Sequence, residues 1–473
     1  MRRFLLLYIL AGTVTAQNLP LDYQDPFTVD LYRRTVLTSE KYQSYLLNHH
    51  LTYEDASFGD QSTFFRYLNG SNNVLGQSVR LGYSVYEDES PVYSGRLGSF
   101  GYLTERITVH NEMTLDSSLP RSGHYVGKEW RGLSGYSRRA FLHYSGERVR
   151  LLLGRDFVRF GMGKTGNLLF SPVSRPLDQI RIQWLGDKFT VNSYLIQLDN
   201  SDGFYRHVYA HRFSLVITPK LVVSLTETAL ESRTGNGVEL SLLNPFLVYH
   251  AEQMNGPDLT ANTLGTIEIA WRPRPGLIAY GEFLLDDYQF DKEEPGDLEP
   301  NEIGGLMGIE VTDLMINNSQ SGVELVAITN RTYKTPTGSE WWLHRNDPMG
   351  YELGSDLFRM YGWLQVWLHD FSWVEFSLDY LQRGEGELDV PWDSPWDAYT
   401  VEEGYSEPFP TGVVETTITP KLAFHWIKVP HVEIHGEAGY RMISNEDHIQ
   451  GQDGDGWFFS ITLATNLGWK IMD

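Results

Sequence analysis

The residues with the clearest chemical potential lie near the C-terminus: His431, Glu433, His435 and Glu437 sit opposite Val432, Ile434, Ala438 and Tyr440. In an extended strand, side chains two apart share one face at about 7 Å, a workable spacing for metal ligands. A strand with one polar face shows the same row without any metal. Asp453-Gly454-Asp455-Gly456 supplies half of a calcium loop and lacks the remaining ligands. Gly161-Met162-Gly163-Lys164-Thr165-Gly166 contains Gly-Lys-Thr, but not the full phosphate-loop spacing between a buried strand and a helix, so it reads as a connection. No Gly-X-Ser-X-Gly elbow is present. The absence of cysteine from all 473 residues removes thiol nucleophiles, thiolate metal sites and disulfides. The Ser and His residues form no privileged pair. The chain reads as a non-enzyme, with no metal or cofactor implied.

Charge is more informative. The net is −23, which argues against a nucleic-acid partner, yet residues 121–212 hold 15 Lys and Arg against seven Asp and Glu. Arginine dominates that set, and its planar fork suits carboxylate and phosphate. Where such side chains share the polar face of a strand they would form an electropositive wall for an anionic ligand; the alternative is pairing with acids across an interior. The segments 286–302 and 385–407 carry eight acids each, suited to divalent cations through carboxylate oxygens or to plain solvation.

The elements that must position these residues have a period of two. Gln179, Arg181 and Gln183 alternate with Ile180, Ile182 and Trp184; Glu375, Ser377 and Asp379 alternate with Val374, Phe376, Leu378 and Tyr380. Similar rows recur from about residue 60 to the end, each a strand with one apolar and one polar face. Their connections are asymmetric. Tight turns at Ser145-Gly146-Glu147-Arg148, Gly186-Asp187-Lys188, Thr218-Pro219-Lys220 and Pro273-Arg274-Pro275-Gly276 alternate with long polar loops at 160–177, 231–263, 287–303, 334–355, 384–411 and 444–456. Short turns on one rim and long loops on the other mark an outer-membrane barrel, and Trp184, Trp271, Trp426 and Trp469 stand at strand ends as a girdle would. The fold class is therefore all-β: a transmembrane antiparallel β-barrel of about 18 strands. That count needs an extra early strand near Phe64–Leu68 and treats 231–263 as one outer excursion, with Leu240–Val248 folding over or into the lumen.

Met1-Arg2-Arg3, the apolar Phe4–Ala11 and the small residues Val14-Thr15-Ala16 read as a secretory signal peptide cleaved after residue 16. Residues 17–60 form an N-terminal periplasmic segment with one helix over Asp30–Leu47, capped by Thr28 or Asp30; residues 61–473 form the barrel. The expected location is the outer membrane, with its lipids and the barrel-insertion machinery as partners.

The central third carries a resemblance. Gly154-Arg155-Asp156-Phe157, Gly161-Met162-Gly163, Gly166-Asn167-Leu168-Leu169-Phe170-Ser171 and Pro176-Leu177-Asp178-Gln179-Ile180 resemble the capsule-assembly Wzi family. So do, in order, Ala210-His211-Arg212, Thr226-Glu227, Leu243-Asn244-Pro245-Phe246, Tyr280-Gly281-Glu282-Phe283, Asp286-Asp287 and Gly350-Tyr351-Glu352-Leu353-Gly354-Ser355-Asp356. The resemblance covers roughly 150–360; the last hundred residues carry none of these motifs. It implies an 18-stranded barrel that attaches capsular polysaccharide to the cell surface without catalysis, and an acidic surface polysaccharide as partner. The matching motifs nominate Arg155, Asp156, Asp178, Arg181, His211, Arg212, Glu227, Tyr280, Glu282 and Asp286 as polysaccharide-binding candidates. The competing reading is a porin or export channel for an anionic solute or polymer. It requires an open lumen, so the paths of 160–177 and 231–263 decide between the two.

Overall fold

Strands whose outward residues are apolar and whose inward residues are polar can close only around a hydrated or self-satisfied interior, with the apolar face turned to lipid. The computed structural model shows that arrangement for the residues it describes: 24, 26–39, 43, 75–87, 90–104, 106–121, 125, 127–171, 175–255, 261–289, 293–369, 372–428 and 432–472. The signal peptide, the early strand near Phe64–Leu68 and the far end of the expected helix lie outside them.

Eighteen strands form one sheet: β1 Leu75–Tyr86, β2 Val92–Thr104, β3 Ile107–Asp116, β4 Ser134–Ser145, β5 Val149–Asp156, β6 Leu177–Leu185, β7 Phe189–Gln197, β8 Tyr205–Thr218 and β9 Leu221–Arg233. The second half comprises β10 Ala261–Arg274, β11 Leu277–Asp287, β12 Glu302–Thr312, β13 Ser319–Ile328, β14 Leu357–His369, β15 Ser372–Arg383, β16 Glu415–Lys428, β17 Val432–Ser444 and β18 Asp453–Met472. Neighbours pair antiparallel, and β18 closes on β1 through a register that includes Val79 opposite Leu467 and Tyr86 opposite Ser460. The expected strand number is met without the segment near Phe64.

Exposure shows which face meets lipid. Leu81, Leu97, Leu153, Ile180, Ile182, Leu225, Ile267, Met307, Phe376 and Leu422 are exposed, while Arg138, Arg139, Arg181, Arg212, Glu282, Glu310 and Glu324 on the opposite face are buried. Trp184, Trp271 and Trp426 are exposed at the short-turn ends of β6, β10 and β16, as an interfacial girdle requires. Among the described residues no helix is long and apolar enough to cross a membrane.

The helix α1, Pro26–Thr38, begins earlier than the spacing predicts. Proline is tolerated at a first helical position because its missing N–H would have no intrahelical partner there. Thr28 and Asp30 therefore lie inside the first turns and are buried rather than serving as caps. The helix lies within the barrel mouth at the short-turn end. Its Leu37 carbonyl, orphaned near the helix C-terminus, accepts from Gly276 N at 2.8 Å and Arg272 Nη2 at 2.6 Å. Arg34 Nη2 donates to Asn318 Oδ1 at 2.7 Å, and Gln43 Nε2 donates to Pro219 O at 2.7 Å. These four partners, Gly276, Arg272, Asn318 and Pro219, come from short turns or strand ends.

Arg33 fixes the helix deeper in the lumen, ion-paired with Glu310 and donating to Met162 O and to Tyr280 Oη. Arg33→Ala leaves Glu310 buried without that cation, at a cost of about 3–5 kcal/mol. Hydrogen exchange of the α1 amides is expected to rise by about two orders of magnitude or more, with barrel strands unchanged. Unchanged α1 exchange would show that the helix is held by other means.

Candidate functional site

The lumen is filled from three directions. The described part of the β5–β6 connection through 171 folds inward and buries Phe157, Val158, Phe160, Met162, Leu168, Leu169 and Phe170. Inward carboxylates of the wall hold it. Glu282 accepts from Leu168 N and Asn167 Nδ2, each at 2.8 Å. Glu324 accepts from Lys164 N at 2.7 Å, Thr165 N at 2.8 Å and Thr165 Oγ1 at 2.6 Å. Lys164 Nζ donates to Asp30 Oδ1 of α1 at 3.1 Å and to Glu375 Oε2 at 3.0 Å, joining loop, helix and wall. The Gly-Lys-Thr stretch thus binds carboxylates of its own chain. Gly161 sits at φ +97, and a Cβ there would land on the Glu282 carboxylate, so only glycine fits.

From the outer side, the β13–β14 connection, 329–356, packs onto this loop. Tyr333 Oη donates to Leu168 O at 2.5 Å, Trp342 Nε1 donates to Leu169 O at 2.8 Å, and the Phe170 and Trp342 rings lie 5.3 Å apart. With α1 below, the three pieces form a stopper with an apolar core inside a polar wall.

The sequence-derived candidates fall into three places. Asp156, Arg212, Tyr280, Glu282 and Asp286 face inward and hold the wall or the stopper. Asp156 pairs with Arg139 at 2.7 Å, and Arg212 pairs with Glu268. Tyr280 Oη donates to Glu324 at 2.7 Å, and Asp286 accepts from Tyr333 N at 2.5 Å. Arg181 is buried on the same lumenal face. Arg155 and Asp178 lie instead on the outward face, at the loop ends of β5 and β6 above Leu153 and Ile180, and pair with each other at 2.5 Å.

His211 and Glu227 also point outward. They share their strand faces with the exposed Leu215 and Ile217 and with Leu225, respectively. The parity of β8 and β9 sets these two on the wall's outer side rather than in the lumen. The β9–β10 connection follows them: instead of entering the lumen, Leu240–Val248 and the helix α2, Tyr249–Asn255, cover the outer wall. The electropositive wall is likewise absent as a bare surface. Arg138, Arg139, Arg148, Arg155, Arg175, Arg206 and Arg212 each meet a carboxylate; for the buried Arg138, Arg139, Arg206 and Arg212 a guanidinium without one would be too costly.

The stopper leaves a cavity of about 480 Å³ on one side, lined by Lys164, Thr165, Glu352, Arg359, Tyr361, Ser377, Asp379, Thr419, Lys421, Glu437, Arg441 and Phe458. Such a volume suits a small ligand or a stretch of polymer. Arg359 forks onto Asp379 at 2.9 and 2.6 Å, and Lys421 Nζ meets Glu437 at 3.2 Å. Arg441, exposed near the loop end of β17, lies over the Phe458 ring at 5.6 Å; among the described residues it meets no carboxylate. Burial pushes the Glu352 carboxyl above its ordinary range while Arg359 pulls it back. An aromatic face, guanidinium forks and hydroxyl-accepting carboxylates are the groups that bind sugars carrying acids. Sequence reasoning missed this cavity. Lys164 and Thr165 stood in the Gly-Lys-Thr stretch, Glu352 in a family motif, Ser377 and Asp379 in one alternating row and Glu437 in another, and nothing in their spacing joins them. Among the described residues, which leave out His431, no group of three or more His, Asp or Glu is placed to hold a metal ion.

The acidic outer loops pack together at Pro295–Leu298 and Pro395–Ala398. Between them Glu299 is pushed up to about 7, chiefly by burial and by Asp287 and Asp397, with Arg331 opposing. Its proton is held more tightly here than in an unfolded chain with the ordinary value of 4.5, so loop packing weakens as pH rises through 7. Proteolysis of these loops should be faster at pH 8 than at pH 5, and Glu299→Gln should flatten that dependence. An unaltered pH profile in the variant would remove Glu299 as its cause.

The family model described as "Capsule assembly protein Wzi" matches residues 84–456. Among solved structures, the chain is similar to Wzi of Escherichia coli, described as an outer membrane protein involved in group 1 capsule assembly and a carbohydrate-binding β-barrel. The two are 14% identical over 96% of this chain and 99% of that one, with a TM-score of 0.58. OprD of Pseudomonas aeruginosa is 10% identical over 85% of this chain and 96% of that one, at 0.47. OccAB1 of Acinetobacter baumannii is 8% identical over 85% and 97%, at 0.49. No curated protein sequence matches.

Proposed function

Because this chain belongs to the Wzi capsule assembly family, we propose that it is a non-catalytic outer-membrane barrel that binds acidic capsular or exopolysaccharide and holds it at the cell surface. The observation that carries this reading is a lumen stoppered by 157–176, 329–356 and α1, beside a cavity lined by Arg441, Phe458, Arg359 and Lys421. A filled lumen offers no path for a solute, so the porin or export-channel reading loses its physical basis, whereas a polar cavity beside the stopper offers charged groups to hold a polymer. Asp156, Arg212, Tyr280, Glu282 and Asp286 serve this function indirectly, by holding the wall and the stopper that shape the cavity. On this reading residues 1–16 direct export and are removed, residues 17–60 form the periplasmic segment that includes α1, and insertion machinery delivers the barrel to the lipid. The test is binding by the purified full chain. Acidic surface polysaccharide from the cell of origin should be retained, less so as salt screens the charges, and a neutral glucan should not. Equal failure to retain either polymer would refute the proposal.

A further inference from the structure

The β9–β10 connection is unusual in lying outside the barrel. Tyr209, His211, Glu227, Glu231 and Thr263 project from the outward face of β8, β9 and β10, where their neighbours Leu215, Leu225 and Ile267 meet lipid. His211 stands seven residues above the short-turn end of β8, about 18 Å along the membrane normal for a strand tilted near 40°. That is near the outer edge of an apolar band about 25 Å tall. Uncovered, these polar groups would face hydrocarbon.

The connection covers this patch and pairs with Glu227, Tyr209 and Thr263. Glu227 accepts from Tyr249 N and His250 N, each at 2.8 Å, and meets His250 Nδ1 at 3.0 Å and His211 Nε2 at 3.2 Å. Glu239 N donates to Tyr209 Oη at 2.7 Å, and Thr263 Oγ1 donates to Gln253 Oε1 at 2.7 Å. The Tyr249 ring packs 4.5 Å from that of His211, tilted by 47°, and Leu242 and Tyr249 are buried against Tyr209, Ala229 and Ala261. The opposite side of the same segment is apolar and bare: Leu240, Phe246, Val248 and Met254 are 76%, 70%, 57% and 87% exposed.

We propose that residues 238–254 form a membrane-seated flap, whose inner side seals a polar patch of the wall and whose outer side lies among the acyl chains of the outer leaflet. The occupant follows from continuity. Phe246 packs on Phe213, 5.9 Å between rings, and the apolar surface runs on without a break into Leu215, Ile217 and Leu225 of the lipid-facing band. A short amphipathic segment at that depth is the arrangement of an interfacial helix. The flap broadens the barrel's grip on the leaflet that carries the surface polymer.

The cysteine-free chain makes the test direct. Single variants Leu240→Cys, Phe246→Cys and Met254→Cys are spin-labelled in the full-length protein in phosphatidylcholine nanodiscs. Collision with oxygen, which concentrates in hydrocarbon, is compared with collision with a water-soluble nickel chelate. The oxygen-to-nickel ratio should match that of a Leu225→Cys control on the lipid-facing wall and exceed that of Asp202→Cys in an outer loop. A ratio equal to the Asp202→Cys control would place the flap in water and overturn the proposal. Shielding from both reagents, with dipolar broadening between labels, would make the occupant a second copy of the chain and overturn it equally.

Discussion

Replacing residues 159–170 by a short Gly-Ser linker should turn a silent barrel into a conducting one. The intact protein, inserted in planar bilayers, is expected to show no steady conductance, because the lumen holds a packed apolar plug rather than water. The plug is anchored by charge-assisted bonds, and Glu324 alone accepts four hydrogen bonds, from Lys164 N, Thr165 N, Thr165 Oγ1 and Tyr280 Oη. At about 1.5–3 kcal/mol for each hydrogen bond to a charged group, Glu324→Ala should loosen the loop and produce intermittent openings even with the sequence otherwise intact. The strands carry none of the deleted residues, so the barrel should still assemble and shift on gels when boiled. Steady porin-like conductance from the unaltered chain would contradict the stopper, and a silent deletion variant would show that 157–176 is not what closes the lumen.

The second large effect is on ligand. Arg441→Ala and Phe458→Ala remove the guanidinium and the ring that face the open side of the cavity. Losing one charge-assisted contact of about 1.5 kcal/mol corresponds to roughly a tenfold weaker affinity for acidic polysaccharide, and the pair of substitutions should exceed either alone. Arg155→Ala is the matched control. Arg155 also carries positive charge toward the outer end of the barrel, but it is paired with Asp178 on the opposite face of the wall. Exposed pairs contribute about 0–1 kcal/mol, so affinity should barely change. The reverse order of sensitivity would move the binding surface from the cavity to the outer wall.

The legible part of this protein was its periodicity. Rows such as 179–184 and 374–380 state strand, length and two-faced character directly, and turn chemistry such as Pro273-Arg274-Pro275-Gly276 states which rim is short. Three features were not legible, each for a physical reason. The parity of β8 and β9 was obscured because His211 and Glu227 are polar residues on a lipid-facing row, and only the flap over them makes that tolerable. The positive stretch 121–212 looked like a bare wall because its neutralising partners, such as Asp347 for Arg175 and Glu375 for Lys164, lie far along the chain. The cavity could not be seen at all. Its lining comes from two loops and five strands, and inward rows such as Arg359 with Tyr361, or Ser377 with Asp379, look the same whether they serve a ligand or only the wall. The family motifs pointed to residues such as Glu282, whose role here is to hold the stopper.

The most direct measurement is the partition of surface polysaccharide in cells lacking this gene. Acidic polymer should move from the cell-bound fraction to the medium, return when the unaltered chain is restored, and remain in the medium when the restored chain carries Arg441→Ala and Phe458→Ala at equal abundance in the outer membrane. An unchanged partition between cells and medium on deletion would contradict retention of the polymer by this barrel.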